Sequence, residues 1–456
     1  MLKAANSPLY QKFRNQYPLF VYEDFGVKLT PEGVYFNFEF KLGEEYTFRP
    51  SAFIPANRHF KADNSANFTG LLNNIAFNIG MIELISYWKT ACPPTILVKP
   101  AALAPEQIKW WKELYFNGMG EFFYVNSIEV TPDSFVEIIA GGSDHFRSLP
   151  VELSDDILVP IGGGKDSIVT LELLRRSGKS VTPLIMNPRG ATVKTAETAG
   201  FAMDQVVTIQ RNLDPLILKL NDAGFLNGHT PFSAMLAFYT LATALITGYR
   251  YIALSNESSA NEATIPGTGI NHQYSKSFEF EAAFRDYYSR YISPDFNYFS
   301  FLRPLSELQI ARIFSSLNEY HAIFRSCNAG SKTDTWCGKC AKCMFAAIII
   351  SPFAGLKQTN RMIGSEMFND PEMRGVFDEL CGIAENKPFE CVGTIDEVNI
   401  ALQMLLRDIP ENERPLLLRH FEEAKGEKSI PADLRKLNPN HFVEAPFIQL
   451  LKEALQ

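Results

Sequence analysis

The stretch LVPIGGGKDSI, residues 158–168, decides the fold. A short apolar run at 157–161 ends in three consecutive glycines, and residues 167–177 then follow the periodicity of a helix. Consecutive glycines cost backbone entropy and bury no side chain, so the pattern indicates that another group approaches the backbone closely. A strand that enters a helix through such a turn is typical of α/β proteins that bind an anion at a helix N-terminus.

Strands and helices alternate along the following hundred residues. Apolar segments at 181–186, 205–209 and 251–254 predict strands, and residues 232–247 predict a buried helix. This alternation predicts an α/β fold with parallel strands in a doubly wound sheet. The strands are followed by the polar loops GGGKDS, NPRG and SNESSANE, which we expect to meet at the carboxyl edge of the sheet, where ligands bind.

Two further regions flank this α/β core. Residues 1–150 mix β-like alternation, as in GVYFNFEF at 33–40, with amphipathic segments, and they predict an N-terminal α+β domain. We expect a catalytic domain at 151–355 and a mostly helical region at 356–456, whose ordinary role would be structural. Three tryptophans of the N-terminal domain are expected to be buried, with stacking on a ligand as the alternative: Trp88, Trp110 and Trp111.

Composition narrows the functional class. The formal net charge of the 456 residues is -8, which argues against a nucleic-acid partner because such proteins usually present a basic face. The N-terminus lacks a continuous apolar segment, so we expect no signal peptide. The most apolar stretch, 232–248, is short and rich in Ser and Thr, which favours a buried helix over a membrane span. We therefore expect a cytoplasmic protein with no membrane partner, whose oligomeric state the sequence does not indicate.

The glycine loop predicts a phosphate-binding site. Backbone N–H groups in a tight turn point to one spot, the helix N-terminus adds partial positive charge, and the loop's lysine adds a full charge. The loop fits neither G-x-x-x-x-G-K-[ST] nor G-x-G-x-x-G. The candidate ATP-phosphate ligands are Gly162, Gly163, Gly164, Lys165, Asp166 and Ser167. The alternative is a glycine turn with a helix cap, in which Asp166 caps the helix rather than holding Mg²⁺.

This loop resembles the [ST]-G-G-x-D-S signature of the PP-loop ATP pyrophosphatases, with Gly162 where Ser or Thr is common. The resemblance implies that the protein cleaves ATP between the α- and β-phosphates. Asn187, which follows the second strand, is then expected to border the nucleoside, although Asn187-Pro188 equally suits a simple turn. Ser255 and Asn256, at the end of the fourth strand, are expected to contact the nucleotide as well.

Two acidic residues of the SNESSANE loop are candidate Mg²⁺ ligands. Glu257 and Glu262 offer carboxylate oxygens, which hard cations prefer, while a solvated polar loop is the alternative. The segment NHQYSKSFEFE at 271–281 then brings groups that move protons near neutral pH. The candidates for proton transfer are His272, Tyr274 and Lys276. A structural role for the histidine is the alternative.

A cysteine cluster predicts a metal site. Cys337, Cys340 and Cys343 lie in C-G-K-C-A-K-C, and Cys327 precedes them. Four thiolates at such short spacings suit a tetrahedral structural Zn²⁺. An iron–sulfur cluster and reduced, unligated thiols stay open as alternatives. Similar clusters occur in the PP-loop enzymes that make cyano-deazaguanine.

Five stretches together resemble the ATP-dependent UDP-N-acetylmuramoyl-L-alanyl-L-glutamate epimerase family, often called MurL. They are IGMIELISYWK (79–89), IKWWKELYFNGMGEFFYVN (108–126), VPIGGGKDSIVTLELL (159–174), SNESSANE (255–262) and NHQYSKSFEFE (271–281). The resemblance implies that the terminal L-Glu of the substrate becomes D-Glu while ATP becomes AMP and pyrophosphate. It also implies that residues 1–150 recognise the large substrate and that Lys165 is catalytic.

Other functions stay open at this stage. Another PP-loop enzyme, amidating or deazaguanine-forming, would transfer nitrogen, but the sequence has no obvious glutaminase nucleophile motif. A PP-loop enzyme that modifies tRNA would need a basic face. A non-catalytic regulator would bind ATP without releasing pyrophosphate.

Overall fold

The computed structural model describes residues 7–61, 63, 65–265, 269–428 and 433–456. Its strands are β1 Leu19–Thr30, β2 Gly33–Leu42, β3 Tyr46–Phe48, β4 Ser51–Pro55, β5 Thr95–Val98, β6 Glu137–Ala140, β7 Ser154–Pro160, β8 Val181–Met186, β9 Val207–Asn212, β10 Tyr249–Leu254 and β11 Asn297–Ser300. Its α-helices are α1 Pro8–Gln16, α2 Ala66–Trp88, α3 Pro105–Gly118, α4 Gly120–Val125, α5 Lys165–Leu174, α6 Gly190–Thr198, α7 Leu216–Asp222, α8 Phe232–Thr247, α9 Phe278–Tyr291, α10 Glu307–Ser315, α11 Ala341–Ala354, α12 Leu356–Ile363, α13 Arg374–Cys381, α14 Ile395–Asp408, α15 Leu416–Lys425 and α16 Ala445–Ala454.

The strands form a mixed sheet in the order β11-β10-β7-β8-β9-β4-β2-β1-β5-β6, with β3 paired to β2. Strands β7 and β10 are parallel, as are β1 with β5 and β5 with β6. In contrast, β2 is antiparallel to β1 and β4, and β4 is antiparallel to β9. The α/β architecture is confirmed, and the parallel pairing expected in the α/β core is present between β7 and β10. The sheet as a whole is nevertheless mixed, because it also contains the strands of the N-terminal region, one of which, β4, is antiparallel to β9. Within that region only Pro31 and Glu32 separate β1 from β2, and so short a turn joins only antiparallel strands.

The predicted elements around the glycine loop are present. The strands expected at 157–161, 181–186, 205–209 and 251–254 correspond to β7, β8, β9 and β10. The helix expected at 167–177 is α5, and α8 has the predicted bounds. Helix α8 is almost wholly buried and ends at Gly248, whose φ of 70° gives the left-handed C-terminal turn that glycine favours. The C-terminal region is mostly helical, as predicted, with α12–α16.

Side-chain alternation explains β2. Val34, Phe36, Phe38 and Phe40 are buried, while the residues between them face outward or are partly exposed. This period of two is what the sequence GVYFNFEF predicted. The strand therefore buries one face against the core of the N-terminal part of the chain.

Among the described residues, α2 is the one helix long and apolar enough to cross a membrane by length and composition. Within its most apolar window, 83% of the residues are buried inside the protein. Ser65 caps it by accepting a hydrogen bond from the backbone N–H of Phe68 at 3.2 Å. The burial marks α2 as a core helix.

The expected burial of the tryptophans is confirmed for Trp88 and Trp111, which have no exposed surface. The Nε1–H group of Trp111 donates to the hydroxyl of Tyr287 at 3.0 Å. Trp110 is partly exposed, and its ring stacks on Tyr287 with centroids 4.1 Å apart. The stacking partner of Trp110 is thus a side chain of the protein itself.

The chain forms two compact units that are discontinuous in sequence. Unit 1 comprises the described residues of Met1–Leu158, Val207–Ile252 and Gly269–Tyr298. Unit 2 comprises those of Val159–Val206, Ala253–Thr268 and Phe299–Gln456. The functional domain boundaries expected near residues 150 and 355 stay predictions.

Candidate functional site

The glycine loop of unit 2 leads directly into α5. Strand β7 ends at Pro160, and α5 begins at Lys165 after Gly164, with no side chain capping its first turn. The first N–H groups of an α-helix have no partner within the helix, and the helix dipole makes that end partially positive. The loop therefore presents donors that suit an anion.

The three glycines have different surroundings. Gly163 has a φ of 81°, and a Cβ added there would lie 3.0 Å from the Cβ of Ala191 in α6. A Cβ on Gly164 would lie 2.8 Å from the Oγ of Ser326. Around a Cβ on Gly162 there would be no heavy atom of the described chain within 4 Å. The protein itself thus packs against two of the glycines, and Gly162 leaves an open face.

Lys165 is buried at the start of α5. Its ammonium pairs with the carboxylates of Asp166 and Glu307. Burial alone would lower the pKa of Lys165, but the charges of these two carboxylates outweigh it and hold the pKa above its ordinary value. The hydroxyl of Ser167 donates to the carbonyl oxygen of Gly164 at 3.0 Å. Lys165 therefore stays charged and fixed.

A group of buried carboxylates surrounds this lysine in unit 2. Burial raises the pKa of Glu307 well above its ordinary value; Lys165 opposes this, while Asp166, Glu257 and Glu397 raise it further. Glu397 accepts a hydrogen bond from the backbone N–H of Glu307 at 2.8 Å. Sequence reasoning missed Glu307 and Glu397. For Glu397 the available signal was the capping box TIDE at 394–397, which the structure contains.

The remaining predicted nucleotide ligands also lie in unit 2. Asn187 directly follows β8 and has a φ of 49°. The hydroxyl of Ser255 is buried and has no hydrogen-bond partner within the described part of the chain. The side-chain amide of Asn256 donates to the Oγ of Ser300 at 3.0 Å. An ordered water or a ligand can complete the hydrogen bonding of such a buried hydroxyl.

The two predicted Mg²⁺ ligands have separate partners. Glu257 is buried, and its carboxylate accepts the hydroxyl of Ser259 at 3.1 Å. Its backbone carbonyl accepts a hydrogen bond from Nη1 of Arg303 at 2.5 Å. Glu262 instead forms an ion pair with the buried ammonium of Lys387. Of the two, Glu257 belongs electrostatically to the carboxylate group around Lys165.

In unit 1 the structure gathers a second set of titratable side chains. The Nδ1 atom of His272 pairs with Oε2 of Glu121, and the Nδ1 atom of His229 lies 3.4 Å from the same oxygen. The ring centroids of the two histidines are 4.5 Å apart. Glu121 comes from α4, His229 from the segment before α8, and His272 from the segment before α9. We call these three residues the acid–base cluster.

Two lysines act electrostatically on His229 of the acid–base cluster. Burial, the neighbouring His272, and the charges of Lys89 and Lys276 lower the pKa of His229 to about 4, although Glu121 opposes them. Burial lowers the pKa of Lys89 to about 8. Sequence reasoning found His272 but missed Glu121, His229 and Lys89. The rarity of histidine, seven in the chain, was the one available signal for His229.

The other predicted proton-transfer residues also lie in unit 1. Tyr274 and Lys276 bound a short 3₁₀ turn that precedes α9. Burial raises the pKa of Tyr274 to about 12, while a hydrogen bond with Asn117 opposes the shift. Tyr274 is therefore a neutral phenol near pH 7. The structure brings His272, Tyr274 and Lys276 into unit 1, whereas the glycine loop belongs to unit 2.

The four predicted cysteines form a compact cluster in unit 2. The Sγ atoms of Cys327, Cys337, Cys340 and Cys343 all lie within 4.8 Å of one another. Three pairs of sulfurs are 3.4–3.7 Å apart, which is too far for disulfide bonds. The backbone N–H of Gly330 donates to the Sγ of Cys327 at 3.2 Å. The grouping of these residues, predicted from their spacing, is present.

The electrostatics of this cluster favour a thiolate at Cys340, whereas burial raises the pKa of Cys337 and a hydrogen bond with Cys340 raises the pKa of Cys343. A hydrogen bond with Cys343 lowers the pKa of Cys340 to about 5, although burial opposes the shift. Cys340 immediately precedes α11, where the partial positive charge of the helix end also favours an anion. Four sulfurs at this spacing, with backbone N–H donors around them, fit a tetrahedral Zn²⁺.

Comparison with known proteins gives a consistent result. The family model described as the MurL N-terminal domain matches residues 11–301, and the one described as the MurL C-terminal domain matches 322–434. A protein of Xanthomonas oryzae pv. oryzae is 34% identical over 363 residues, which cover 78% of this chain and 79% of the relative. A protein of Salinispora tropica is 36% identical over 339 residues, with 71% of each chain covered. A protein of Micromonospora sp. is 32% identical over 381 residues, covering 81% of this chain and 83% of the relative. All three are named UDP-N-acetyl-alpha-D-muramoyl-L-alanyl-L-glutamate epimerase.

Proposed function

The chain belongs to the MurL family, and from that premise we propose that it converts the terminal L-Glu of UDP-N-acetylmuramoyl-L-alanyl-L-glutamate to D-Glu, coupled to ATP. The resemblance to the MurL family is confirmed, and the names of the relatives are those of an enzyme of the isomerase class. The proposed route runs through an acyl-adenylate and releases AMP and pyrophosphate. We place the reaction in peptidoglycan precursor synthesis in the cytoplasm.

The chemistry explains why ATP would be needed. The Cα–H bond beside an ionised carboxylate is a very weak acid, because loss of the proton builds a second negative charge on the same group. Adenylation of the carboxylate removes the first charge and makes the proton far more acidic. A general base supplies about 10²–10⁴-fold in rate, and every tenfold corresponds to about 1.4 kcal/mol of barrier. The rate factor of a general base alone is too small to epimerise a carbon beside an unactivated carboxylate.

One observation carries the nucleotide assignment: an uncapped helix N-terminus beside the open face of Gly162, with a charged lysine in the same turn. These features suit the phosphates of ATP. The hydroxyl of Ser255, which has no partner among the described residues, offers a further hydrogen bond. We therefore assign PP-loop chemistry to the loop at 162–167, with Asn187 at the nucleoside and Asn256 beside it.

Mg²⁺ would neutralise phosphate charge during adenylation. Asp166 and Glu257 are the carboxylates that we assign to it, because both belong to the group around Lys165. Glu262 is the second residue that the sequence predicted, and its carboxylate is paired with Lys387. Asp166 is partly exposed, with 33% of its side-chain surface accessible, so it can reach a ligand.

We assign proton transfer at Cα to unit 1. His272 is the proposed base, because an imidazole changes charge near neutral pH. Tyr274, a neutral phenol, is available as a proton donor, and Lys276 as a cation for a substrate carboxylate. Zn²⁺, held by the four cysteines, would serve structure alone.

The testing experiment is incubation with UDP-N-acetylmuramoyl-L-alanyl-L-glutamate, ATP and Mg²⁺ in D₂O. The product is hydrolysed, D-Glu is separated from L-Glu, and deuterium at Cα is read by mass spectrometry. We expect deuterated D-Glu that depends on ATP and appears together with AMP. AMP and pyrophosphate without D-Glu would contradict the substrate, and folded protein that forms no AMP would leave the loop as a regulatory ATP site.

A further inference from the structure

We propose that Glu121 and His229 are positioning residues for His272, and that His272 acts on one face of the substrate's Cα. This inference rests on the proposed epimerase function. It goes beyond it by assigning two residues that the motifs did not reveal. It also states that the acid–base cluster acts on a single face of the substrate's Cα.

The first support is the pairing of His272 with Glu121. A carboxylate accepts hydrogen bonds, so Nδ1 of His272 carries the hydrogen that it shares with Glu121. The lone pair of the neutral ring then lies on Nε2, which is the atom that takes a proton. A carboxylate that fixes the tautomer in this way also stabilises the imidazolium that forms.

The proton balance is simple. When Cα loses its proton, the electron pair of the C–H bond moves into the activated carboxyl group, and the proton binds Nε2 of His272. The hydrogen on Nδ1 stays with the imidazole, and Glu121 stays a carboxylate. Return of a proton to the opposite side of Cα completes the inversion and needs a donor on the other face.

The second support is the electrostatic setting of His229. The charged or titratable groups that act on it are His272, Lys89 and Lys276, which disfavour its protonation, and Glu121, which favours it. Because His229 is uncharged, it does not compete with His272 for the negative charge of Glu121. A permanent positive charge at this position would compete for the same carboxylate oxygen, which lies 3.4 Å from Nδ1 of His229.

The third support is the spacing of the rings. Their centroids are 4.5 Å apart. A carbon atom that lies between two rings is about 3.5–4 Å from the ring atoms on each side, so the rings would have to be much farther apart than they are. No Cα fits between the two histidines, so they serve the same face of the substrate.

A divalent cation is the competing occupant, because the three side chains offer donor atoms within 4.8 Å of one another. The positive charges of Lys89 and Lys276 act on His229 and disfavour a second cation beside it. This contrasts with the four cysteines, among which Cys340 is favoured as a thiolate. The acid–base cluster is thus better suited to proton transfer.

The experiment compares His272→Gln, His229→Gln, His229→Lys, Glu121→Gln and Glu121→Asp in the full-length enzyme. His145→Gln and Glu106→Gln are matched controls, because both residues are exposed in unit 1. AMP formation, D-Glu formation and deuterium in recovered L-Glu are measured with the L-Glu substrate in D₂O. Thermal melting checks that each variant is folded.

We expect AMP formation to stay within a few-fold of wild type in the controls His145→Gln and Glu106→Gln, and to fall less than D-Glu formation in the cluster variants, because adenylation precedes proton transfer. D-Glu formation should fall roughly 10²–10⁴-fold in His272→Gln and roughly 10²-fold in Glu121→Gln, with partial recovery in Glu121→Asp. The acid limb of the rate profile should move to lower pH by roughly one unit in Glu121→Gln, because the imidazole loses a stabilising charge. His229→Lys should lose more activity than His229→Gln.

The deuterium pattern tests the single face. Because His272 is proposed to remove the proton, all three Gln variants should return L-Glu without deuterium. Deuterated L-Glu from His272→Gln would place this histidine on the opposite face and contradict its role as the base. Opposite patterns for His272→Gln and His229→Gln would overturn the inference. So would a wild-type rate and pH profile in Glu121→Gln, or the loss of one bound metal per chain in His229→Gln.

Failure of the epimerase function and failure of the roles given to the acid–base cluster would give different results. If the wild-type enzyme makes no D-Glu, the proposed function is wrong. If the wild type makes D-Glu while the cluster variants behave like His145→Gln, only the roles given to the acid–base cluster are wrong.

Discussion

The ammonium of Lys165 and the carboxylate of Glu307 form a buried ion pair, although 142 positions separate them in the sequence. Glu307 is in turn held through its backbone N–H by the carboxylate of Glu397. The lysine of the glycine loop is therefore fixed by residues of α10 and α14. Its geometry depends on the C-terminal helices as well as on the loop.

Replacing Lys165 tests this dependence. Lys165→Ala should lower AMP formation by at least about 10²-fold and also destabilise the fold, because loss of one partner of a buried ion pair costs roughly 3–5 kcal/mol. The double variant Lys165→Met with Glu307→Gln removes both charges and should recover stability without recovering AMP formation. Lys357→Ala, an exposed lysine in unit 2, is the control. Normal AMP formation in the double variant would show that the lysine is not catalytic.

Two neighbouring glycines should respond differently to the same change. Gly163→Ala should lower the free energy of unfolding by about 1–3 kcal/mol, because its φ of 81° and its contact with Ala191 both exclude a side chain. Gly162→Ala should fold normally, because its face is open, but should weaken ATP binding by roughly tenfold or more. Denaturant unfolding and ATP titration measure the two effects. Unchanged ATP affinity in Gly162→Ala would place the phosphates elsewhere.

The cysteine cluster should hold one zinc per chain. Cys343→Ser should lose that metal and melt at a lower temperature, because three ligands bind Zn²⁺ more weakly than four. Cys381→Ala replaces a buried cysteine of α13 and should keep the metal. Elemental analysis and thermal melting give the answer. Purified wild type that contains iron and acid-labile sulfide would identify an iron–sulfur cluster instead.

Lys89 should make stability depend on pH in the alkaline range. Burial lowers its pKa from 10.5 to about 8 in the folded protein, so the unfolded chain binds more protons between these values. The wild type should therefore gain up to about 3 kcal/mol relative to Lys89→Met as the pH rises through this window. Denaturant unfolding of both proteins at pH 7 and pH 10 measures the difference. The control Lys109→Met, which replaces an exposed lysine, should show no pH-dependent difference from the wild type. If Lys89→Met also showed no such difference, Lys89 would not be desolvated in the folded protein.

The sequence predicted correctly those strands, helices and clusters that depend on residues close together in the chain. Strand β8 and helix α8 have the predicted bounds, because apolar runs of the right length are bounded by turn residues such as Asn187 and Gly248. The four cysteines were found because three of them lie in one short segment. The glycine loop was recognised for the same reason.

Long-range relationships could not be read in this way. Glu121, His229 and His272 come from three separate segments, and no spacing rule links them. The antiparallel pairing of β4 with β9 joins residues about 160 positions apart, so its direction depends on tertiary packing. Glu307 was missed because a single glutamate in an amphipathic helix is ordinarily a surface residue.

Unit 2 also has a consequence for biosynthesis. Its three segments are separated in the sequence, and the chain emerges from the ribosome with the glycine loop well before Glu307 and Glu397. During that interval the buried lysine has no permanent counter-ion from α10, and the native contacts of α5 must wait for distant sequence. Lys165 is thus fixed only after α10 and α14 have been synthesised, and a chain that terminates before Glu307 lacks the carboxylate that pairs with this lysine.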